Sequence, residues 1–331
     1  MARILITGGA GFIGLHLANR LLDIGHEVVI TDNFSRAVRD PELVGFGKRK
    51  NAKIVEVDML NKNSVLKLGT SFEVIFHLAA IIGVAHVLAR PYAVLVDNIG
   101  MLSNVIALAK KQTLLSRLLY ASTSEIYAGT QARFNLDIPT SEEAALAVSN
   151  LRHPRTSYML SKMYGEAMCL QSELPITIFR PHNVYGPRMG LSHVIPELCQ
   201  KAIETEIKGE LEVYSTDHTR TFCYVSDAVE QLISMSLSID CQNETLNLGS
   251  QSPEISIGDV AKIILNVVKR EDLKLKGLPP SSGSPSRRCP DMTKTTDLIG
   301  FSAKVSLDDG IEKTFKWYED KVFKTKGLTS K

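Results

Sequence analysis

Tyr158 and Lys162 stand four residues apart in Tyr-Met-Leu-Ser-Lys. On a helix, that spacing puts both side chains on one face. A tyrosine with a pKa near 10 is a poor base at neutral pH, but a close ammonium favours its phenolate. Lowering that pKa by about three units takes roughly 4 kcal/mol of differential interaction. Lys162 and a bound cationic ring could together supply much of it. A second group lies in Ala-Ser-Thr-Ser-Glu-Ile-Tyr, residues 121–127. Thr123 can hydrogen-bond a sugar hydroxyl and help its proton reach Tyr158. Glu125 is a carboxylate near a strand end, suited to acid/base work, to sugar binding or to holding the next loop.

The third group is Gly8, Gly11 and Gly14 in Ile-Thr-Gly-Gly-Ala-Gly-Phe-Ile-Gly. It follows a strand pattern and opens a helical one, the context a dinucleotide fingerprint requires. Gly8 allows the tight turn, Gly11 lets a pyrophosphate approach and Gly14 lets helix and strand pack. The helix N-terminus then offers free N–H groups and a positive dipole end to phosphates. Asp32 ends the next strand pattern about twenty residues on, where an acid accepts hydrogen bonds from ribose hydroxyls. It would repel a 2′-phosphate, which favours NAD over NADP; nearby Arg36 points the other way. Asp58 ends the third strand, where it meets an adenine edge or caps the strand. His86, His182 and His193 fall near the expected cleft, and their spacing predicts no metal site.

The elements that must position these groups alternate. Strands are expected over 4–7, 27–31, 53–57, 73–77, 117–121 and 176–180, with helices over 12–24, 92–110 and 158–173. That alternation predicts an α/β fold, a doubly wound parallel sheet with ligands at the carboxyl ends of its strands. After residue 180 the pattern loosens into a loop marked by Pro181, Gly186, Pro187 and Gly190. Helices return over 193–207, 226–238, 257–268 and 307–318, with a loop over 277–291. The expected division is a first domain over 1–180, with returning elements near 221–250, and a smaller C-terminal α/β lobe over 181–331.

The 331 residues carry 38 Lys+Arg against 36 Asp+Glu, a net +2 that gives no argument for nucleic acid or a membrane surface. No apolar run approaching ~20 residues is read, so no membrane span is expected. Five cysteines form no C-x-x-C pair and read as buried free thiols in a reducing compartment. The N-terminus runs directly into a strand pattern, so no leader and a cytoplasmic location are expected.

TGGAGFIG, DNFSR (32–36), HLAA (77–80), ASTSEIY, YMLSK, RPHNVYGPRMG (180–190), TRTFCYVSDAV (219–229) and RRCPDMTK (287–294) appear in this order. Together they resemble the extended short-chain dehydrogenase/reductase family, most closely its nucleotide-sugar epimerase/dehydratase/decarboxylase branch. The resemblance implies a Rossmann-type sheet, bound NAD and a nucleotide-sugar substrate, UDP-linked by preference. It implies that Tyr158 takes the proton from a sugar 4-hydroxyl as hydride passes to NAD. The 4-keto sugar then rotates, loses water or loses carbon dioxide, and the hydride returns.

Carried over by residue, the resemblance assigns Gly8, Gly11, Phe12 and Ile13 to the pyrophosphate loop. It assigns Asp32 and Asn33 to the adenosine ribose, and Asp58 and Met59 to the adenine. Leu78, Ala79 and Ala80 form the wall beside the cofactor, and Tyr158 and Lys162 also touch it. Thr123, Tyr158 and Lys162 are the catalytic set, with Glu125 beside them. Asn183 contacts the substrate diphosphate, and Arg220 with Arg287 or Arg288 clamps it; guanidinium forks suit phosphate oxygens. Some relatives pair two long helices per subunit into a four-helix interface. The helices over 92–110 and 158–173 are therefore expected to form a homodimer.

The reaction is divided between subgroups. Ser124-Glu125 replaces the Asp-Glu of the 4,6-dehydratases. STSE, TRTFCYVSD and RRCPD resemble UDP-glucuronate decarboxylases, whereas YMLSK and HLAA resemble the 4-epimerases. The leading expectation is a UDP-sugar 4-epimerase, with the decarboxylase as alternative. A dehydratase, or an NAD-binding regulator without catalysis, is a more distant one.

Overall fold

A computed structural model describes residues 1–280 and 285–326. Residues 281–284 of the expected 277–291 loop lie outside the described residues. The first half of the chain runs β1 (Arg3–Thr7), α1 (Phe12–Asp23), β2 (Glu27–Asp32), α2 (Pro41–Gly47), β3 (Ala52–Glu56), α3 (Lys62–Leu66) and β4 (Val74–His77). It continues through α4 (Val84–Ala89), α5 (Pro91–Ala109), β5 (Arg117–Ala121), α6 (Ala128–Arg133), α7 (Arg155–Leu170) and β6 (Ile176–Pro181). The second half begins with β7 (Val184–Tyr185), α8 (Val194–Glu204), β8 (Glu210–Tyr214), β9 (Thr219–Arg220), β10 (Cys223–Tyr224) and α9 (Val225–Leu237). Then come β11 (Glu244–Leu248), β12 (Ile255–Ser256), α10 (Ile257–Val268), β13 (Lys274–Leu278), β14 (Arg287–Arg288), α11 (Thr293–Ile299) and α12 (Leu307–Tyr318).

Seven strands form one sheet in the order β11-β6-β5-β4-β1-β2-β3. Every pairing in it is parallel. The strand residues are apolar on both faces, as a sheet covered on both sides requires. Ile4, Ile6, Val28 and Ile30 pack with α1 and α9, while Leu5, Val29, Ile75 and Tyr120 pack with α5 and α7. The strand order turns at β1, between β4 and β2, which opens a crevice at the strands' carboxyl ends. A separate core joins α8, α10, α12 and β8 through Leu198, Val213, Ile264, Ile311 and Phe315.

α5 departs from one expectation. Its 19 residues are long and apolar enough to cross a bilayer by length and composition. In this fold Val94, Met101, Leu102, Val105 and Leu108 are buried. α7 begins three residues before the expected start. It ends at Leu170, and Glu173 beyond it takes φ +63° and cannot continue a right-handed helix.

Candidate active site

The glycine turn stands at the centre of the carboxyl edge. Gly8 has φ +68°, and a β-carbon on it would press 2.8 Å from the Ala79 nitrogen. A β-carbon on Gly14 would stand 2.5 Å from the Gly8 carbonyl oxygen, so only glycine lets α1 start this close to the turn. Gly11 precedes Phe12 and Ile13, and no side chain caps this N-terminus. Bare backbone and an uncapped helix end form a cradle suited to a pyrophosphate.

Neighbouring elements hold the cradle. Thr7 Oγ1 accepts from the Ala79 nitrogen at 3.3 Å and contacts His77 Nδ1 at 2.7 Å. That fixes the 78–80 wall beside the turn, with Leu78, Ala79 and Ala80 half-buried. Asn98 on α5 grips the same wall: its Oδ1 accepts from the Ile81 nitrogen at 2.8 Å, and its amide donates to Ser161 Oγ at 3.2 Å. Arg188 reaches the Ala10 and Gly11 carbonyls at 3.3 and 3.4 Å and pairs with Asp40 at 2.6 Å. Asn98 and Arg188 were not singled out from the sequence. An asparagine within an apolar helix was the available signal for the first.

Asp32 ends β2 with its carboxyl above the usual carboxylate range, because burial outweighs the N–H groups of Phe34, Ala10 and Asn33 that bond it. Asn33 is exposed, and its Oδ1 accepts from the Ser35 nitrogen. Asp58 is exposed and accepts from the Leu60 nitrogen at 2.9 Å, which is the strand-end turn. Met59 beside it is buried, and its carbonyl accepts from Asn104.

Thr123 caps a short 3₁₀ turn, Ser124–Tyr127, that presents Glu125 beside α7. Thr123 faces the Tyr158 hydroxyl and favours its phenolate. Lys162 Nζ donates to the Ala121 carbonyl at 2.7 Å and lies 5.9 Å from the Tyr158 ring centroid. Burial pushes Lys162 down to about 8. Tyr158 shifts opposite to the sequence expectation. Burial, and then the Glu125 carboxylate, push it well above the ordinary tyrosine value, against the opposing pull of Thr123 and Arg36. The Lys162 ammonium, which donates to the Ala121 carbonyl, does not offset that burial. The chain by itself holds Tyr158 protonated.

Opposite this set stand arginines from the C-terminal half. β9 and β14 pair in parallel, Thr219 with Arg287 and Arg220 with Arg288. Strand alternation sends the two pairs to opposite faces. Arg287 is exposed and held by Glu254 at 2.7 and 2.9 Å. Arg288 is half-buried, and its charge acts on Glu125, Arg155, Arg220 and His182. The structure therefore separates the two candidates and brings Arg288 to the site. Arg220 is buried and donates to the Pro285 and Ser286 carbonyls. Burial and the Arg288 charge pull it down to about 10. Two neighbouring guanidinium groups of this kind favour a dianion between them. Asn183, at φ +41°, donates to the Thr221 carbonyl at 2.8 Å on the same wall. Glu125 lies 3.4 Å from Arg155, which the sequence reading had not singled out. His86, His182 and His193 form no metal cluster among the described residues.

The model of the NAD dependent epimerase/dehydratase family matches residues 4–249. The chain is 34% identical over 334 residues to a UDP-N-acetyl-alpha-D-glucosaminuronate decarboxylase of Bacillus cytotoxicus, covering 96% of this chain and 98% of the relative. It is 33% identical over 328 residues to UDP-glucuronic acid decarboxylase 1 of Xenopus tropicalis, covering 96% of this chain and 72% of the relative. Among solved structures it resembles a UDP-glucuronic acid 4-epimerase of Bacillus cereus in complex with UDP-glucuronic acid and NAD. There the TM-score is 0.78 at 25% identity, over 96% of this chain and 99% of that one. The cradle no β-carbon could share, the uncapped helix and the Asp32 carboxylate fit NAD. With its glycine cradle, its Thr123/Tyr158/Lys162 set and these matches over nearly its whole length, the chain belongs to the NAD-dependent epimerase/dehydratase family of nucleotide-sugar enzymes.

Proposed function

We propose that this enzyme decarboxylates a UDP-linked hexuronate. The observation that carries the reading is the placement of Glu125. Its carboxylate stands beside Tyr158, 3.4 Å from Arg155 and within charge reach of Arg288 from the opposite wall. A neutral sugar needs no such acid–guanidinium pair at the reacting face; a uronate brings a carboxylate that Arg155 can hold. The two decarboxylase relatives at 33% and 34% identity support the same choice.

NAD, when bound, accepts and returns a hydride and adds a positive ring to the site. Tyr158 takes the 4-hydroxyl proton, with Thr123 holding that oxygen in line. Lys162 keeps its cationic head beside both through the Ala121 carbonyl. A uronate with a ketone at C4 is a β-keto acid, and carbon dioxide leaves from C5. Tyr158 and Thr123 then stabilise the enolate oxygen, and C5 takes a proton from water relayed through the Glu125 carboxylate. Arg220, Arg288 and Asn183 hold the diphosphate.

Incubation with NAD and, separately, UDP-glucuronate, UDP-N-acetylglucosaminuronate and UDP-glucose tests the reading, with products read by mass and proton NMR. Loss of carbon dioxide from a uronate is expected. Glu125→Gln should lower that rate by about 10²-fold or more while binding persists. The 4-epimerase expected from the sequence is the second reading, favoured by the solved UDP-glucuronic acid 4-epimerase of similar fold. Unchanged mass with an inverted C4 signal would establish it instead.

The assembly we infer is a homodimer. α5 and α7 pack on each other and leave Tyr92, Val96, Tyr164 and Leu170 exposed, a surface a second copy would cover. Five buried, unpaired cysteines support a reducing compartment.

A further inference from the structure

Sheet order places the loop after β1 between the loops that follow β2 and β4. Arg36 belongs to the β2 side. Its Nη2 ends 4.0 Å from where a β-carbon on Gly83 would stand, and Gly83 closes the loop after β4. The strand order sets the glycine turn at 8–11 between those two places. The Arg36 charge acts in both directions, on the Asp32 carboxylate at one end and on Tyr158 and His193 at the other.

The base of this side chain is well fixed. The Phe34 nitrogen donates to Asp32 Oδ1 at 2.9 Å, and the Ser35 nitrogen to Asn33 Oδ1 at 3.1 Å. The Arg39 guanidinium lies 3.8 Å over the Phe34 ring. Farther along, Arg188 ties Asp40 to the glycine-turn carbonyls. Arg36 itself is exposed. A cation carried on an anchored loop, over a cradle of backbone N–H groups, faces whatever anion the cradle holds.

We propose that Arg36 is a strap over the dinucleotide cradle, and that its guanidinium clamps the NAD pyrophosphate from the side opposite the α1 N-terminus. A planar guanidinium can bridge two phosphate oxygens at once. Its reach toward Gly83 and Tyr158 takes it past the ribose end, so its role is retention of NAD, not selection of a 2′-phosphate. The proposal rests on NAD dependence and not on the choice between decarboxylation and epimerisation.

The test is release of bound NAD from the holoenzyme, followed by exchange against isotope-labelled NAD. Wild type, Arg36→Ala and Arg36→Lys are compared, with competition by ADP-ribose and by adenosine and with thermal midpoints as the folding control. Arg36→Ala should speed release and weaken ADP-ribose about 10- to 100-fold, the usual worth of a charge-assisted contact. Arg36→Lys should fall between, and adenosine, which has no phosphate, should compete unchanged. Unaltered NAD release would overturn the strap. If only the KM for the UDP-uronate rose, Arg36 would serve the substrate carboxylate; if only NADP binding weakened, it would read a 2′-phosphate. Equal losses for adenosine and ADP-ribose would mean loop collapse and would also sink the proposal. Should Arg36→Ala fail to fold, Arg36→Gln carries the same comparison.

Discussion

Tyr158 is the residue we propose as the base, and its environment is not the one a Tyr-x-x-x-Lys spacing suggests by itself. The spacing places Lys162 on the same helical face, but the ammonium reaches the Ala121 carbonyl, and Glu125 works against the phenolate. The enzyme therefore keeps Tyr158 neutral at rest and needs added positive charge to activate it. With Tyr158 as the proposed base, proton removal would then depend on cofactor binding. Tyr158→Phe keeps the ring and removes the hydroxyl that Thr123 faces. Turnover should fall by about 10²- to 10⁴-fold, the range for a lost general base. NAD affinity should stay within about twofold, since the cradle is built from backbone around Gly8 and Gly11. Rate assays and NAD titration on one preparation check both halves. Retained turnover would remove Tyr158 from the role of base.

At the scale of elements, the turn between β1 and α1 is set by contact distances that leave no room for a side chain. Gly14→Ala would put a β-carbon 2.5 Å from the Gly8 carbonyl and 2.8 Å from the Gly9 α-carbon, both backbone atoms. Alanine is the better helix former, by up to about 1 kcal/mol. Overpacking costs typically 1–3 kcal/mol, and rigid backbone puts this site toward the upper part. The substitution should lower the thermal midpoint and weaken NAD together, as calorimetry and NAD titration would show. A more stable protein with unchanged NAD binding would refute that account. This turn was legible in the sequence because three glycines, a strand pattern and a helix pattern are local signals. The strands of the first half were legible for the same reason, each expected within a residue or so of its place. The start of α7 was less so: Arg155, Thr156 and Ser157 are polar, and apolar periodicity begins only at Met159. The arginine wall was legible in residue type and not in geometry. β9 and β14 are two residues long and far apart in the chain, so only the fold shows that Arg288 sits beside Arg220 while Arg287 turns to Glu254. β8 and β13 were not read, because ELEVY and KLKGL carry charges on a half-exposed pair.

Across the whole molecule, distant segments meet in a buried polar network beneath the site. Arg180 pairs with Glu166 at 2.7 Å and donates to the Tyr127 hydroxyl and the Glu142 carbonyl. Asn247 donates to the Thr140 and Asp291 carbonyls, and its Oδ1 accepts from Tyr127 and meets His182 Nε2 at 3.0 Å. With that oxygen as acceptor, His182 carries its proton on Nε2, and its buried Nδ1 has no hydrogen-bond partner among the described residues. His77 lies in the sheet, and Thr7 Oγ1, which accepts from the Ala79 nitrogen, lies 2.7 Å from its Nδ1. Burial pushes both imidazoles down to about 3, from an ordinary value of 6.5. Between those values the unfolded chain binds protons that the folded one refuses, so stability is lost as pH falls from 6.5 toward 3. Each histidine contributes up to about 1.4 kcal/mol per pH unit in that window. Well above pH 6.5 neither is charged in either state, and their contribution is flat. Urea unfolding at stepped pH should therefore show a midpoint that is level near neutrality and drops steeply below 6.5. His182→Gln should make the drop shallower while costing stability at pH 7 through the Asn247 contact. His77→Asn should do the same through Thr7. An acid limb with its wild-type slope in both variants would place the proton uptake elsewhere and leave these histidines without a part in it.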